Sequence, residues 1–131
     1  MKKISIVSSC FNEEDNIPIL YRGINEVIEK YIERYEFKFI FIDNDSTDFS
    51  QDELRKLAMD DKRVKLIFNS RNFGYIKSAY YAIMQASGDA VIYLASDLQD
   101  PPELIADFID NWEKGCDVVI ARKYDKKSFS F

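Results

Sequence analysis

The chain contains no histidine, so any proton transfer or metal binding must run on carboxylates, hydroxyls, amides and cations. The groups best placed for such work follow an apolar run. Ala90-Val91-Ile92-Tyr93-Leu94 is too short for a helix and reads as a strand buried on both faces. It breaks at Ala95 into Ser96-Asp97-Leu98-Gln99-Asp100, which puts Asp97 just past a strand's carboxyl end, where open α/β sheets bind ligands. Asp97 and Gln99 offer hard oxygen ligands, suited to Mg²⁺ or Mn²⁺ that shares its shell with phosphate oxygens and water. Asp100 ahead of Pro101-Pro102-Glu103 reads as the N-cap of the next helix rather than as a ligand, with Pro101 preset for the first turn and Glu103 as capping partner.

Polar residues gather in the same way after the other apolar runs: Asn12-Glu13, then Asp43-Asn44-Asp45, then Arg71, and finally Arg122. In a parallel sheet these ends share one edge and can converge on one ligand. Asp43 and Asp45 could accept N–H or O–H bonds from a base or ribose; the alternative is a turn held by Asx contacts. Arg71 and Lys77 are the cations nearest to a bound phosphate, with a solvated face as the alternative, which fits Lys77 better. Phe11, an aromatic at a strand end, can stack on a base. Polar loops occur in every α/β domain, so residue types alone leave both readings open.

The elements that must position these groups alternate along the chain. Lys3–Cys10 reads as a first strand, followed by a long first helix whose apolar positions run from Ile17 through Leu20, Ile24 and Tyr31 to Tyr35. Phe37–Ile42 reads as a second strand, and Ser50-Gln51-Asp52-Glu53 as a capping box opening a short helix to about Asp60. Val64–Phe68 is a third strand, Tyr75–Ala86 a helix, and Ile105, Phe108, Ile109 and Trp112 stripe a helix that stops near Gly115. Asp117–Ala121 reads as a fifth strand. Five strands alternating with four helices predict a doubly wound, parallel sheet with right-handed crossovers.

With 131 residues, 47% of them apolar, the chain is expected to form one globular domain. A net charge of −5 argues against a DNA or RNA partner, whereas a metal ion and a few placed cations can offset one diphosphate. The N-terminal apolar run is too short for a signal peptide, and no stretch approaches the ~20 apolar residues that span a bilayer. Cys10 and Cys116 lack metal or redox spacing and read as reduced, buried small residues. The expected location is cytoplasmic, at the membrane's cytoplasmic face in a longer protein. The tail from Arg122 to Phe131 stops without a terminating element, as expected for a chain cut from something longer.

Four ordered motifs resemble family 2 glycosyltransferases, especially dolichyl-phosphate mannose synthase and bacterial polyprenyl-phosphate sugar transferases. Ser96-Asp97-Leu98-Gln99-Asp100-Pro101-Pro102-Glu103 is similar to their metal-binding segment, usually Asp-x-Asp-Leu-Gln-Asp-Pro-Pro-Glu, with Ala95 at its first acidic position. Ser9-Cys10-Phe11-Asn12-Glu13 resembles the opening Pro-x-Tyr-Asn-Glu. Asp43-Asn44-Asp45-Ser46-Thr47-Asp48 resembles an Asp-Asp-Gly-Ser-Thr-Asp loop, with Asn44 at the second Asp. Ser70-Arg71-Asn72-Phe73-Gly74 matches an Arg-Asn-x-Gly loop, and Arg122 falls where the family places an arginine. The resemblance implies a Rossmann-like, three-layer α/β fold of GT-A type with a mostly parallel sheet. It also implies that Ser9, Phe11, Glu13, Asn44 and Arg71 line a nucleotide site, with a divalent metal on Asp97 and Gln99; Asp43, Lys77, Ser96 and Arg122 are expected to complete the nucleotide site from their places after the strand ends. Asn44 is both donor and acceptor, so base preference can differ from that of an aspartate, and Ala95 removes one carboxylate near the metal.

The implied reaction is inverting transfer from a UDP- or GDP-sugar to a polyprenyl phosphate or a glycan. The acceptor-side base is not expected in this chain, membrane contact is expected only through segments beyond it, and a homodimer is left open. The competing reading is a degenerate, non-catalytic nucleotide-binding or regulatory module. A phosphoacceptor receiver domain shares the topology but wants an aspartate after the third strand and a lysine after the fifth, where Asn69 and Arg122 stand.

Overall fold

The computed structural model describes residues 1–122. The elements are β1 (Lys2–Cys10), α1 (Asn16–Ile28), β2 (Tyr35–Asp43), α2 (Ser50–Asp60), β3 (Val64–Phe68), α3 (Tyr75–Gln85), β4 (Ala90–Tyr93) and α4 (Leu104–Glu113). The sheet runs β3-β2-β1-β4 and every pairing is parallel. The central strands β1 and β2 pair in register from Lys2 opposite Tyr35 to Cys10 opposite Asp43, and their buried apolar runs are what a strand covered on both faces requires.

Side chains alternate between the two faces. One face carries the larger core, where Ile4, Ile6, Phe39 and Phe41 meet Ile17, Leu20 and Ile24 of α1, Leu54 of α2 and Ile105 of α4. Phe39 is fully buried, its ring parallel to that of Phe41 with centroids 6.3 Å apart; burial of such a ring contributes about 2–3 kcal/mol. The other face carries Val7, Ile40 and Ile42 against Ala82 of α3. Among the described residues the result is three layers, with α1, α2 and α4 on one side and α3 on the other.

Several expectations are corrected. The first helix ends at Ile28 and gives way to a 3-10 turn, Glu29–Tyr31. Tyr31 is buried and the Arg34 N–H donates to the Tyr31 carbonyl at 3.0 Å, so the chain reverses there and Tyr35 begins β2. The capping box at Ser50 does not form: the Ser50 hydroxyl accepts from the Glu13 N–H at 2.8 Å instead. Asp100 does not cap α4, which starts at Leu104 without a side-chain cap; its Oδ2 accepts from the Ala95 N–H at 3.4 Å. Residues 117–121 form no strand. Val119 and Ile120 line a cavity of about 610 Å³ together with Val91 and Tyr93 of β4 and pair with no strand among the described residues; Val118 and Ile120 are exposed, and so is Cys116, against the expectation of a buried thiol. The expectation about the tail beyond Arg122 lies outside the described residues.

Candidate functional site

Parallel pairing brings Cys10, Asp43 and Tyr93 to the same edge of the sheet, and backbone bonds carry the ladder into the loops. The Asn44 N–H donates to the Cys10 carbonyl at 2.9 Å and the Leu94 N–H to the Val7 carbonyl at 3.0 Å. The loops after β1 and β2 are then laced together. Asn12 takes a left-handed conformation, φ 52°, which asparagine tolerates, and its Oδ1 accepts from the Thr47 N–H at 2.8 Å while its own N–H donates to Ser46 Oγ at 2.9 Å. Asp48 Oδ2 accepts from the Glu14 N–H. Burial raises the Asp48 carboxyl, but donors from Ser50 and Glu14 outweigh it and hold it below its ordinary value.

Asp43 is fully buried and accepts from the Ser46 N–H at 3.0 Å, the Ser46 hydroxyl at 2.5 Å and Gln51 Nε2 at 2.9 Å. Asn44, also buried, joins two strand-end loops: its Nδ2 donates to Asn72 Oδ1 at 2.7 Å, and its Oδ1 accepts from the Phe73 N–H at 2.9 Å and from Asn69 Nδ2 at 3.2 Å. Asn69 Nδ2 donates as well to Ser78 Oγ on α3 at 2.7 Å. The loop after β4 is tied to β1 by Ser96, whose buried hydroxyl donates to the Ser9 carbonyl at 2.7 Å. Leu98 is left-handed, φ 65°, and the Gln99 N–H donates to Asp97 Oδ1 at 3.1 Å.

These loops enclose a cavity of about 320 Å³ lined by Ser9, Cys10, Phe11, Glu13, Asn44, Asn72, Gly74, Tyr75, Ser78, Ala95, Ser96 and Asp97. Of the residues the sequence singles out, the fold therefore brings Ser9, Phe11, Glu13, Asn44, Ser96 and Asp97 together. Asp43, Arg71, Lys77, Gln99 and Arg122 do not line this cavity. Asp43 lies beneath it as a turn clamp; the Arg71 guanidinium rests over the Phe73 ring, 4.6 Å from its centroid; Lys77 lies on the outer side of α3. Asn72, Tyr75 and Ser78 also line this cavity, and the sequence does not single them out as candidates. Their signal is positional: Tyr75 and Ser78 lie one turn apart at the start of α3, and Asn72 Oδ1 accepts from the Gly74 N–H at 2.8 Å in an Asx turn.

The floor is polar but unreactive. Ser9 Oγ and the Tyr93 hydroxyl are hydrogen-bonded at 2.6 Å, and burial, joined by the neighbouring Tyr75, pushes the Tyr93 hydroxyl well above its ordinary value. Burial likewise pushes the Cys10 thiol up to about 12, so it is no nucleophile near neutral pH. Among the described residues the charged groups lining the cavity are the carboxylates Glu13 and Asp97, and no lysine or arginine lines it. Among the described residues no group of three or more Cys, Asp or Glu side chains could by itself hold a metal. A single carboxylate still fits an ion of the Mg²⁺ type, which takes one or two carboxylates and completes its shell with substrate phosphates and water.

The sequence from residue 5 to residue 130 matches the family model described as glycosyl transferase family 2. The chain belongs to this family. It is 38% identical over 126 residues to a bactoprenol glucosyl transferase of Shigella phage SfV, covering 96% of this chain and 40% of that protein. Against the uncharacterized glycosyltransferase YkcC of Bacillus subtilis it is 39% identical over 127 residues, covering 97% and 39%. The chain thus spans about 40% of the length of these relatives. Among solved structures, S. aureus TarS 1-349 in complex with UDP superposes with a TM-score of 0.68 at 23% identity, over 86% of this chain and 32% of that one. The mannosyltransferase PcManGT from Pyrobaculum calidifontis, in complex with GDP-Man and Mn²⁺, superposes with a TM-score of 0.63 at 18% identity, over 73% and 28%. The fold is GT-A, as the motif resemblance implies.

Proposed function

We propose that this chain is the donor-binding domain of a glycosyltransferase. It holds a UDP- or GDP-sugar in the strand-end cavity for inverting transfer to a polyprenyl phosphate or a glycan. The observation that carries the reading is the convergence of Ser9, Phe11, Asn44, Ser96 and Asp97, from three strand ends, on one cavity of about 320 Å³. In this reading Phe11 stacks on the base, the remaining Asn44 N–H and the loop around Asp43 read its edge, and Ser9, Glu13 and Ser96 line the ribose and diphosphate. Arg122 supplies a cation from outside the cavity, and the donor needs neither Arg71, which rests over the Phe73 ring, nor Lys77, on the outer side of α3.

The lining itself argues for a metal. A diphosphate entering beside Glu13 and Asp97, with no lysine or arginine among the described residues that line the wall, is favoured by a cation that comes with it. Asp97 would hold Mg²⁺ or Mn²⁺ with Gln99 beside it, and the ion supplies Lewis-acid stabilisation of the departing diphosphate. In the transfer an acceptor oxygen bonds to the anomeric carbon as the bond from that carbon to the diphosphate breaks. A polyprenyl phosphate oxygen is already anionic at neutral pH, so this acceptor needs no strong base from the chain. The curated relatives named as bactoprenol glucosyl transferases support that acceptor class. Membrane attachment of the whole protein and the acceptor-side groups belong, in this reading, to segments outside this chain.

A calorimetric titration with UDP-glucose and with GDP-mannose in the presence of Mn²⁺ tests the donor site. One of the two binds with a Kd at or below the millimolar range, about −4 to −8 kcal/mol, and Phe11→Ala weakens it about tenfold through the lost stacking. Equal weak heats for both nucleotides and no effect of Phe11→Ala would remove the base site from the account. Ala95 favours one second reading, a domain that binds nucleotide without metal or turnover. Affinity unchanged by EDTA would select it.

A further inference from the structure

Helix α3 is turned inside out in residue size. Its buried side is made of small residues, Ser78, Ala79 and Ala82, set against the sheet. Its outer side carries Ile76, Tyr80 and Met84, one turn apart and 79%, 65% and 62% exposed. Beside this stripe a groove of about 780 Å³ runs between α3 and the β3 edge, floored by Ile67, Phe68, Phe73 and Tyr81. An apolar stripe and groove of this extent on one face mark a contact surface.

The charge around it is segregated. The cations beside it are Lys65, Arg71 and Lys77, in a stretch, residues 62–88, that holds none of the chain's 23 Asp and Glu residues; Arg63 of the same stretch pairs with Asp61 and lies over Phe39 on the opposite face. Lys65 pairs with Ile40 and Ile67 with Ile42 in the β2–β3 register, which puts Lys65 on the same sheet face as α3. Among the described residues Lys65, Arg71 and Lys77 make no ion pair. An acidic protein thus presents one cationic, tyrosine-rich, apolar face.

We infer that this face docks on an anionic lipid bilayer, with Ile76, Tyr80 and Met84 entering the headgroup boundary and Lys65, Arg71 and Lys77 facing the lipid phosphates. Tyrosine at the interface and basic side chains near anionic headgroups are the two chemistries such a surface rewards. An isologous dimer through this face would set the same cations against one another, which argues against a second copy as occupant. The contact comes from within this chain, whereas the sequence alone suggested only segments beyond it. Because Gly74 and Tyr75 at the start of α3 line the strand-end cavity, docking holds that cavity at the membrane surface. The inference stands on α3 and its charges and does not need the nucleotide assignment.

The test is sedimentation of the 131-residue chain with vesicles of phosphatidylcholine, with and without phosphatidylglycerol, at low and high salt. Binding should require phosphatidylglycerol and weaken with salt. Lys65→Gln with Lys77→Gln should weaken it about 25-fold, at roughly fivefold per cation, and Ile76→Ser with Tyr80→Ser about tenfold, while Lys56→Gln on α2 leaves it unchanged. Circular dichroism confirms that each variant folds, and the nucleotide titration is read separately on the Ile76→Ser, Tyr80→Ser protein. Equal binding to both vesicle types, or variants that bind like the parent, would overturn the inference. So would a lipid-free dimer that these same substitutions dissolve, which would assign the face to a second copy.

Discussion

Replacing Asn44 with alanine probes the joint between the β2 and β3 loops on which the cavity depends. The substitution removes three hydrogen bonds: to Asn72 Oδ1, from the Phe73 N–H and from Asn69 Nδ2. Their costs differ. Asn69 Nδ2 retains Ser78 and Asn72 Oδ1 retains the Gly74 N–H, so the Phe73 N–H is the group left without its partner. With a net value of about 1 kcal/mol for a full loss and less for the two shared ones, the change sums to about 2 kcal/mol. For a chain of this size that is a fall in Tm of about 8 °C, at roughly 4 °C per kcal/mol. Asn44→Asp, which restores the acid usual at this point of the family motif, should cost about 1 kcal/mol. It keeps the acceptors for Phe73 and Asn69 but sets a carboxylate against Asn72 Oδ1, and turning the Asn72 amide over would forfeit the Gly74 bond. Thermal unfolding followed by circular dichroism at neutral pH measures both. A Tm for Asn44→Ala within about 2 °C of the parent would refute the view that this side chain pins the loop.

Two further outcomes follow from features remote from the cavity. Gly23 lies mid-helix in α1, and a Cβ there would come within 2.8 Å of Pro102 Cγ. Gly23→Ala should therefore destabilise by about 1–3 kcal/mol through overpacking, against the roughly 1 kcal/mol that alanine gains in an open helix; denaturant unfolding decides the sign, and a more stable variant would contradict the contact. Hydrogen bonds from Arg63, with Tyr21 as a further donor, hold the Asp61 carboxyl down at about 2. A depressed carboxylate stabilises the fold above its unfolded value of 3.8 and loses that contribution as pH falls from there towards 2. The loss is about 1–2 kcal/mol after allowance for the exposed side of Arg63. Asp61→Asn should flatten the stability profile across that window, and an unchanged slope would show that the pair carries no linkage.

Much of the fold was legible because local pattern and tertiary demand agree. The runs at Ile4, Phe39, Leu66 and Ile92 are apolar and β-branched or aromatic, and they occur where strands form. Alternation with helices dictates a parallel sheet, and a parallel sheet puts Asn12, Asn44 and Asp97 on one edge. The failures come where a tertiary contact outbids a local signal. Tyr31 and Tyr35 keep helical spacing, yet Tyr31 enters the core and Tyr35 starts a strand against Lys2. Ser50 looks like a cap but serves the Glu13 N–H. Val118-Val119-Ile120 has strand composition, but a strand needs a neighbour at hydrogen-bonding distance and this segment has none among the described residues. In the site, the motif makes Asn44 a group facing ligand, and no sequence pattern reveals that its side chain bonds Asn69, Asn72 and the Phe73 N–H.

The central claim is a metal-assisted donor site built on Asp97. Its most direct test is the affinity of the parent chain and of Asp97→Ala for the preferred nucleotide-sugar, measured by calorimetry in Mn²⁺ and again in EDTA. The account predicts at least tenfold weaker binding in EDTA for the parent, and for Asp97→Ala the same weak affinity in both buffers. Binding by the parent that is indifferent to EDTA, or an Asp97→Ala protein that still responds to Mn²⁺ as the parent does, would contradict it.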